Sequence, residues 1–106
     1  FVQDLKRDGT IRRVLIMTFS EFGRTVAENG RHGTGHGSGA VVFLAGGSVR
    51  GGIVGERPDL REQENGGVKH KIDFRSLYAT VLRDWLNLPS EPAVGEGFVP
   101  LQIIKA

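Results

Sequence analysis

Glu21 and His36 are the two side chains whose type and setting point most directly to chemistry. Glu21 follows the apolar run Val14-Leu15-Ile16-Met17-Thr18-Phe19, just past what reads as the C-terminal end of a strand. Open α/β sheets place their ligands at that end, and a carboxylate there can offer oxygen to a hard or borderline metal. The plainer alternative is an ion pair with Arg24, three residues on, or a helix cap. His36 lies in Gly33-Thr34-Gly35-His36-Gly37-Ser38-Gly39. Flanking glycines let an imidazole and its backbone come close to a metal or an anion, and neutral imidazole is the commonest protein ligand for zinc. The alternative is an incidental histidine in a mobile surface loop. His32, four residues earlier, is a further donor, but no helix pattern sets the two histidines on one face, and it reads as solvent-facing.

The same loop invites comparison with a phosphate cradle. It carries neither G-x-G-x-x-G nor the Walker pattern, and it leads into a strand rather than a helix, so the nucleotide-binding reading is weak. His70, between Lys69 and Lys71, reads as solvated, and Asp73 reads as a helix cap.

These residues need elements to position them. Phe1, Val2 and Leu5, then Lys6 and Arg7, predict the last turns of a helix with cations near its C-terminal dipole. Unbroken apolar runs such as Val14–Phe19 mark strands buried on both faces, as in parallel sheets covered by helices. Ala40 to Ala45 predicts a second strand of the same kind. Asn29 to Gly39 is too glycine-rich for a helix or a central strand. Ile53-Val54 is a short segment after a turn, and Pro58 to Gly67 predicts a polar surface excursion. Asp73 caps a helix whose apolar residues (Phe74, Leu77, Tyr78, Val81, Leu82, Trp85, Leu86) recur with helical period until Pro89 stops it. The tail from Pro92 is only weakly patterned, with strand-like Phe98-Val99 and Leu101 to Ile104. Two buried strands are too few for a covered parallel sheet. The remaining strands are expected from upstream sequence or another copy, and exposed sheet edges predict self-association.

Composition narrows the field. The chain has 106 residues, 39% hydrophobic and 25% charged, which fits one ordered domain rather than a disordered segment. Glycine is enriched, at 16 residues, mostly between Gly23 and Gly67. The net charge of +2 comes from scattered arginines without an aromatic platform, against a nucleic-acid partner. With no cysteine, disulfide frameworks, thiolate zinc sites and cysteine nucleophiles are excluded. No run of about 18 apolar residues is present, so no membrane-spanning helix is expected. No signal peptide is read at the N-terminus. The missing initiator Met and a helix already amphipathic at Phe1 predict a fragment.

Several motifs taken together carry a resemblance. The run from Val14 to Arg24, Asn29-Gly30, Gly33 to Gly37, Leu44-Ala45-Gly46-Gly47, Val49-Arg50-Gly51-Gly52 and Asp73 to Leu82 resemble the bacterial domain-of-unknown-function family 1501, over nearly the whole chain. Members of that family are typically several times longer, and this chain is similar to their C-terminal portion. The family in turn resembles the alkaline-phosphatase and sulfatase superfamily. That implies an α/β fold, the C-terminal part of a three-layer α/β/α arrangement with a mostly parallel sheet, and residues 1–106 as a single partial domain. It implies a metal-dependent phosphate or sulfate ester hydrolase, with the nucleophile and further ligands upstream and this piece silent alone. Glu21 and His36 would be ligands of a divalent metal of the zinc, calcium or magnesium type, with Arg24 and His32 meeting the substrate anion. Phe22 stands at the place of a superfamily histidine and Gly35 at that of a carboxylate. These two departures favour the other reading, a non-catalytic envelope module that binds a small-molecule ester or an envelope partner. Export to the periplasm by the twin-arginine route is also implied, while the residues themselves leave the cytoplasm open.

Overall fold

The computed structural model describes residues 1–105. In chain order the elements are helix α1 (Val2–Arg7), a 3-10 turn (Ile11–Arg13), strands β1 (Leu15–Met17), β2 (Gly23–Arg24), β3 (His36–Gly37), β4 (Leu44–Gly46), β5 (Gln63–Glu64) and β6 (Gly67–Val68), helix α2 (Phe74–Thr80), a π-helical segment (Val81–Trp85) and helix α3 (Glu91–Val94). The strands form two-stranded pairs, β1 with β4, β2 with β3 and β5 with β6.

This corrects the expected fold. Among the described residues there is no three-layer α/β/α arrangement and no mostly parallel sheet; the β2–β3 and β5–β6 pairs are antiparallel. In β1–β4, Gly46 lies against Val14 and Leu15 while Gly47 lies against Arg12, so these segments also run in opposite directions. A parallel pair needs a crossover of a dozen or more residues, usually a helix. Here all six strands follow one another with no helix between them. The apolar runs mislead for a related reason. Only the middle of Val14–Phe19 and the end of Ala40–Ala45 become strand, and Phe19, Val41 and Phe43 are 80%, 74% and 69% exposed. Apolar character alone predicts burial on two faces, but at these positions the chain leaves it on the surface. Ile53-Val54 forms no strand, and Ile53 is fully open to solvent.

The chain divides into two compact units. The first comprises residues 1–16, 44–54 and 72–106. Its helix α2 is capped as expected, with the Asp73 carboxylate accepting from the Arg75 amide at 2.9 Å. Leu77, Ala79, Ile103 and Ile104 are buried, and Thr80 is wholly so. The Thr80 hydroxyl donates to the Ser76 carbonyl and accepts from the Leu101 amide, both at 2.7 Å, tying helix to tail. The tail is then stitched to residues 48–50 by the Val49–Ile104 bridge, Arg50 N to Ile103 O at 2.9 Å and Lys105 N to Ser48 O at 2.7 Å. Arg75, held by both Asp73 oxygens, lies 4.3 Å from the centre of the Phe98 ring.

The second unit comprises residues 17–43 and 55–71. The Thr18 amide donates to Phe43 O at 3.0 Å, and the Phe43 amide returns a bond to Thr18 Oγ1 at 2.9 Å. Asn65 and Gly66, both at positive φ, make the two-residue turn between β5 and β6. The expected excursion is thus a hairpin, closed near its base by Lys71 Nζ and Glu56 Oε2 at 2.8 Å.

Candidate functional site

The region around Glu21 and His36 lies in the second unit and is built on glycine. β2 and β3 pair so that Gly23 faces Gly37 and Arg24 faces His36. The hairpin joins them at Gly67, which bridges to Thr25. A Cβ on Gly37 would stand 2.6 Å from Arg24 O and 2.8 Å from Gly67 Cα, and one on Gly67 would stand 2.5 Å from Ser38 N. A Cβ on Gly23 would run into the Gly39 carbonyl. Main chain packs directly on main chain here, a closeness that only glycine permits. The segment Asn29 to Gly39, too glycine-rich for a helix or a central strand, therefore contains the two-residue strand β3 and its packing partners.

His36 is exposed on this support and its ring stacks on Phe22, with centroids 3.6 Å apart and planes 13° from parallel. Stacking fixes the imidazole plane while leaving both ring nitrogens accessible at its edge, where a metal or an anion would approach. Arg24 sits opposite His36 in register. Its Nε donates to Thr34 Oγ1 at 2.9 Å, its Nη2 donates to the Thr34 carbonyl, and its guanidinium carbon lies 5.7 Å from the Phe22 ring centre. Thr34 is itself placed by the turn before it. Asn29 Oδ1 accepts from Arg31 N at 2.9 Å and Gly33 N at 3.1 Å, and Thr25 Oγ1 accepts from Gly35 N at 2.9 Å.

The chain from Phe1 onward matches the family described as "Protein of unknown function (DUF1501)" over residues 1–91. It belongs to that family. Neither a curated protein nor a solved structure matches the chain. Every residue of the site described above lies within the matched range.

Of the four expected site residues, the structure brings Arg24 and His36 together as cross-strand neighbours. Glu21 is exposed in the bend before β2, and among the described residues it forms no ion pair or hydrogen bond with Arg24 or His36. The alternative of a Glu21–Arg24 pair is thereby set aside, since Arg24 turns to Thr34. His32 stands apart from the pair: its side chain is 94% exposed, its φ is +59°, and its Nδ1 lies 3.4 Å from Glu28 Oε1. His70 faces Glu64 at 3.4 Å across the hairpin. Sequence reasoning missed Phe22 as the plate under His36 and Thr34 as the anchor of Arg24. The available signal was Gly23 and Gly37, each beside a functional side chain in an antiparallel register.

Among the described residues no group of three or more histidines and carboxylates is placed to hold a metal ion. Glu21 and His36 would leave most of a divalent ion's coordination sphere to other donors. No helix among the described residues is long and apolar enough to cross a membrane.

Proposed function

We propose that this part of the DUF1501 chain is a recognition surface for phosphate- or sulfate-type anions, non-catalytic by itself, with Arg24 and His36 as the recognising pair. The observation that supports it is the locked guanidinium. Thr34 holds Arg24 by one edge and Phe22 lies against it, so the Nη1 edge stays free on a side chain that has already lost most of its rotamer freedom. A preorganised guanidinium is the usual recogniser of tetrahedral oxyanions, and His36, opposite it, adds a second donor. The ligand class is a small phosphate or sulfate ester or an envelope partner carrying such groups, in keeping with the export that the resemblance implies. Titration with inorganic phosphate and sulfate, followed by the NMR signals of Arg24 Nε and the His36 ring, tests this. Saturable shifts should disappear in Arg24→Gln and weaken several-fold in Thr34→Val. Shifts no larger than those caused by chloride would overturn the reading.

A second reading rests on Glu21, whose exposed carboxylate has no protein partner among the described residues. Here the surface belongs to a metal-dependent phosphate or sulfate ester hydrolase, and Glu21 and His36 would contribute to holding a divalent metal of the zinc, calcium or magnesium type. Such an ion would polarise the ester oxygen as a Lewis acid; Arg24 would orient the anion, with His32 a weaker candidate. The readings part at Glu21→Gln. Anion affinity unchanged by that substitution supports recognition alone, whereas metal-dependent affinity abolished by it supports the hydrolase.

A further inference from the structure

The chain contains two Asn–Gly pairs, Asn29–Gly30 and Asn65–Gly66, in opposite settings. We propose that Asn29 is a site of spontaneous, succinimide-mediated deamidation in the folded protein and that Asn65 is protected by its turn. In this reaction the Gly30 amide nitrogen, after losing its proton to hydroxide, attacks Asn29 Cγ. The new N–Cγ bond forms as negative charge collects on Oδ1. The tetrahedral centre then collapses, the Cγ–Nδ2 bond breaks, and the amide leaves as ammonia with a proton taken from water. Water opens the ring at either carbonyl, giving aspartate or isoaspartate.

At Asn29 the structure favours this path in three ways. Asn29 and Gly30 are both exposed, and nothing lies within 4 Å of the place where a Gly30 Cβ would be, so the attacking nitrogen is unhindered. The bond from Arg31 N to Oδ1 folds the side-chain amide back along its own main chain, over the Gly30 peptide. The Arg31 and Gly33 amides, at 2.9 and 3.1 Å, are two N–H donors already aimed at the oxygen on which charge develops, the arrangement that stabilises oxyanions elsewhere.

Asn65 and Gly66 are exposed as well, but a Cβ on Gly66 would stand 3.3 Å from Thr25 Cγ2, and the other two features are missing. Its φ of +49° and the +77° of Gly66 are the dihedrals that make the hairpin turn. Gly66 O accepts from Val26 N at 2.9 Å, and Glu64 pairs with Gly67 across the turn. Bringing the Gly66 nitrogen to the Asn65 side chain requires turning main chain whose flanking groups these contacts hold, and no hydrogen bond among the described residues polarises the Asn65 amide.

Isoaspartate at position 29 reroutes the main chain through the side-chain carbon and dissolves the turn that presents Thr34 to Arg24. Loss of anion affinity on ageing follows only if the recognition role holds; the modification stands without it. The test is peptide mapping by mass spectrometry of the folded chain aged in mildly alkaline buffer, beside the same chain aged in concentrated urea. Conversion at Asn29 is expected several-fold faster than at Asn65 when folded, with the two rates converging in urea. Equal rates in the folded chain, a faster Asn65, or a rate difference that persists unchanged in urea would each overturn the proposal.

Discussion

The two units of this chain reach order by opposite means. In the first, residues become buried because side chains fill space: Leu77, Ala79, Ile103 and Ile104 surround a helix and its tail, and Thr80 contributes a satisfied hydroxyl. In the second, the only buried residues among those described are Gly23 and Gly67, while Phe19, Val41 and Phe43 remain exposed. One unit is held by what its residues carry and the other by what its glycines lack. Side-chain cores tolerate repacking to a degree, whereas a backbone junction has no slack to give. The second unit is also where Arg24 and His36 are held at fixed places, and a support with no rotamers of its own is suited to that task.

The sharpest way to break this contrast is Gly23→Ala. Its Cβ would meet the Gly39 carbonyl, and rigid backbone cannot yield as a side chain can. A cost of about 3 kcal/mol or more is expected, seen as collapsed amide dispersion for residues of the second unit. Gly51→Ala, into open space, should stay within about 0.5 kcal/mol. Next in size is Thr80→Val, which keeps the shape but leaves the half-buried Leu101 amide without its acceptor. About 1–3 kcal/mol should be lost in chemical denaturation, with Thr80→Ser recovering much of it.

Smaller again is Arg75→Ala, which removes the cation from the Phe98 ring. An effect of about 0.5–1 kcal/mol is expected, and Arg75→Lys should recover only part of it, because lysine lacks the planar fork that meets Asp73. The smallest effect concerns the exposed clasp of the second unit. The hydrogen bond from Lys71, and then its charge, hold the Glu56 carboxyl below its ordinary range, and the same bond raises the Lys71 ammonium. The clasp therefore contributes fully between the two ordinary ranges. It is lost as pH falls through the lowered Glu56 value or rises through the raised Lys71 value. NMR titration should show the Glu56 carboxyl moving back to the ordinary glutamate range in Lys71→Met, with little change in melting temperature.

What could be read from the sequence divides along the same line. The cap at Asp73, helix α1 and the start of α2 follow from local side-chain signals and appear where those signals put them. The apolar period of the last helix does not carry through. At Val81 the α-helix passes into a π-helical segment, whose wider turn rotates later positions, so Leu86 emerges 50% exposed. Helical spacing assumes one turn size and has no means of announcing a change. In the glycine-rich centre the composition was visible but its meaning was not, because close approach depends on a partner strand tens of residues away. Glu21 and His36 stood out by residue type, and Arg24 by its place beside them. Phe22 and Thr34 act through ring stacking and hydrogen bonding to a neighbour, relations that a linear pattern does not record.

The link between Thr80 and Leu101 has a consequence for motion. Twenty-one positions separate the two residues, and the Leu101 amide reaches its acceptor only when α2 and the tail are assembled together. Its exchange with deuterated solvent therefore reports the parting of the tail from α2. The Leu101 amide should exchange more slowly than that of exposed Gln102 beside it, a single proton whose departure times that separation.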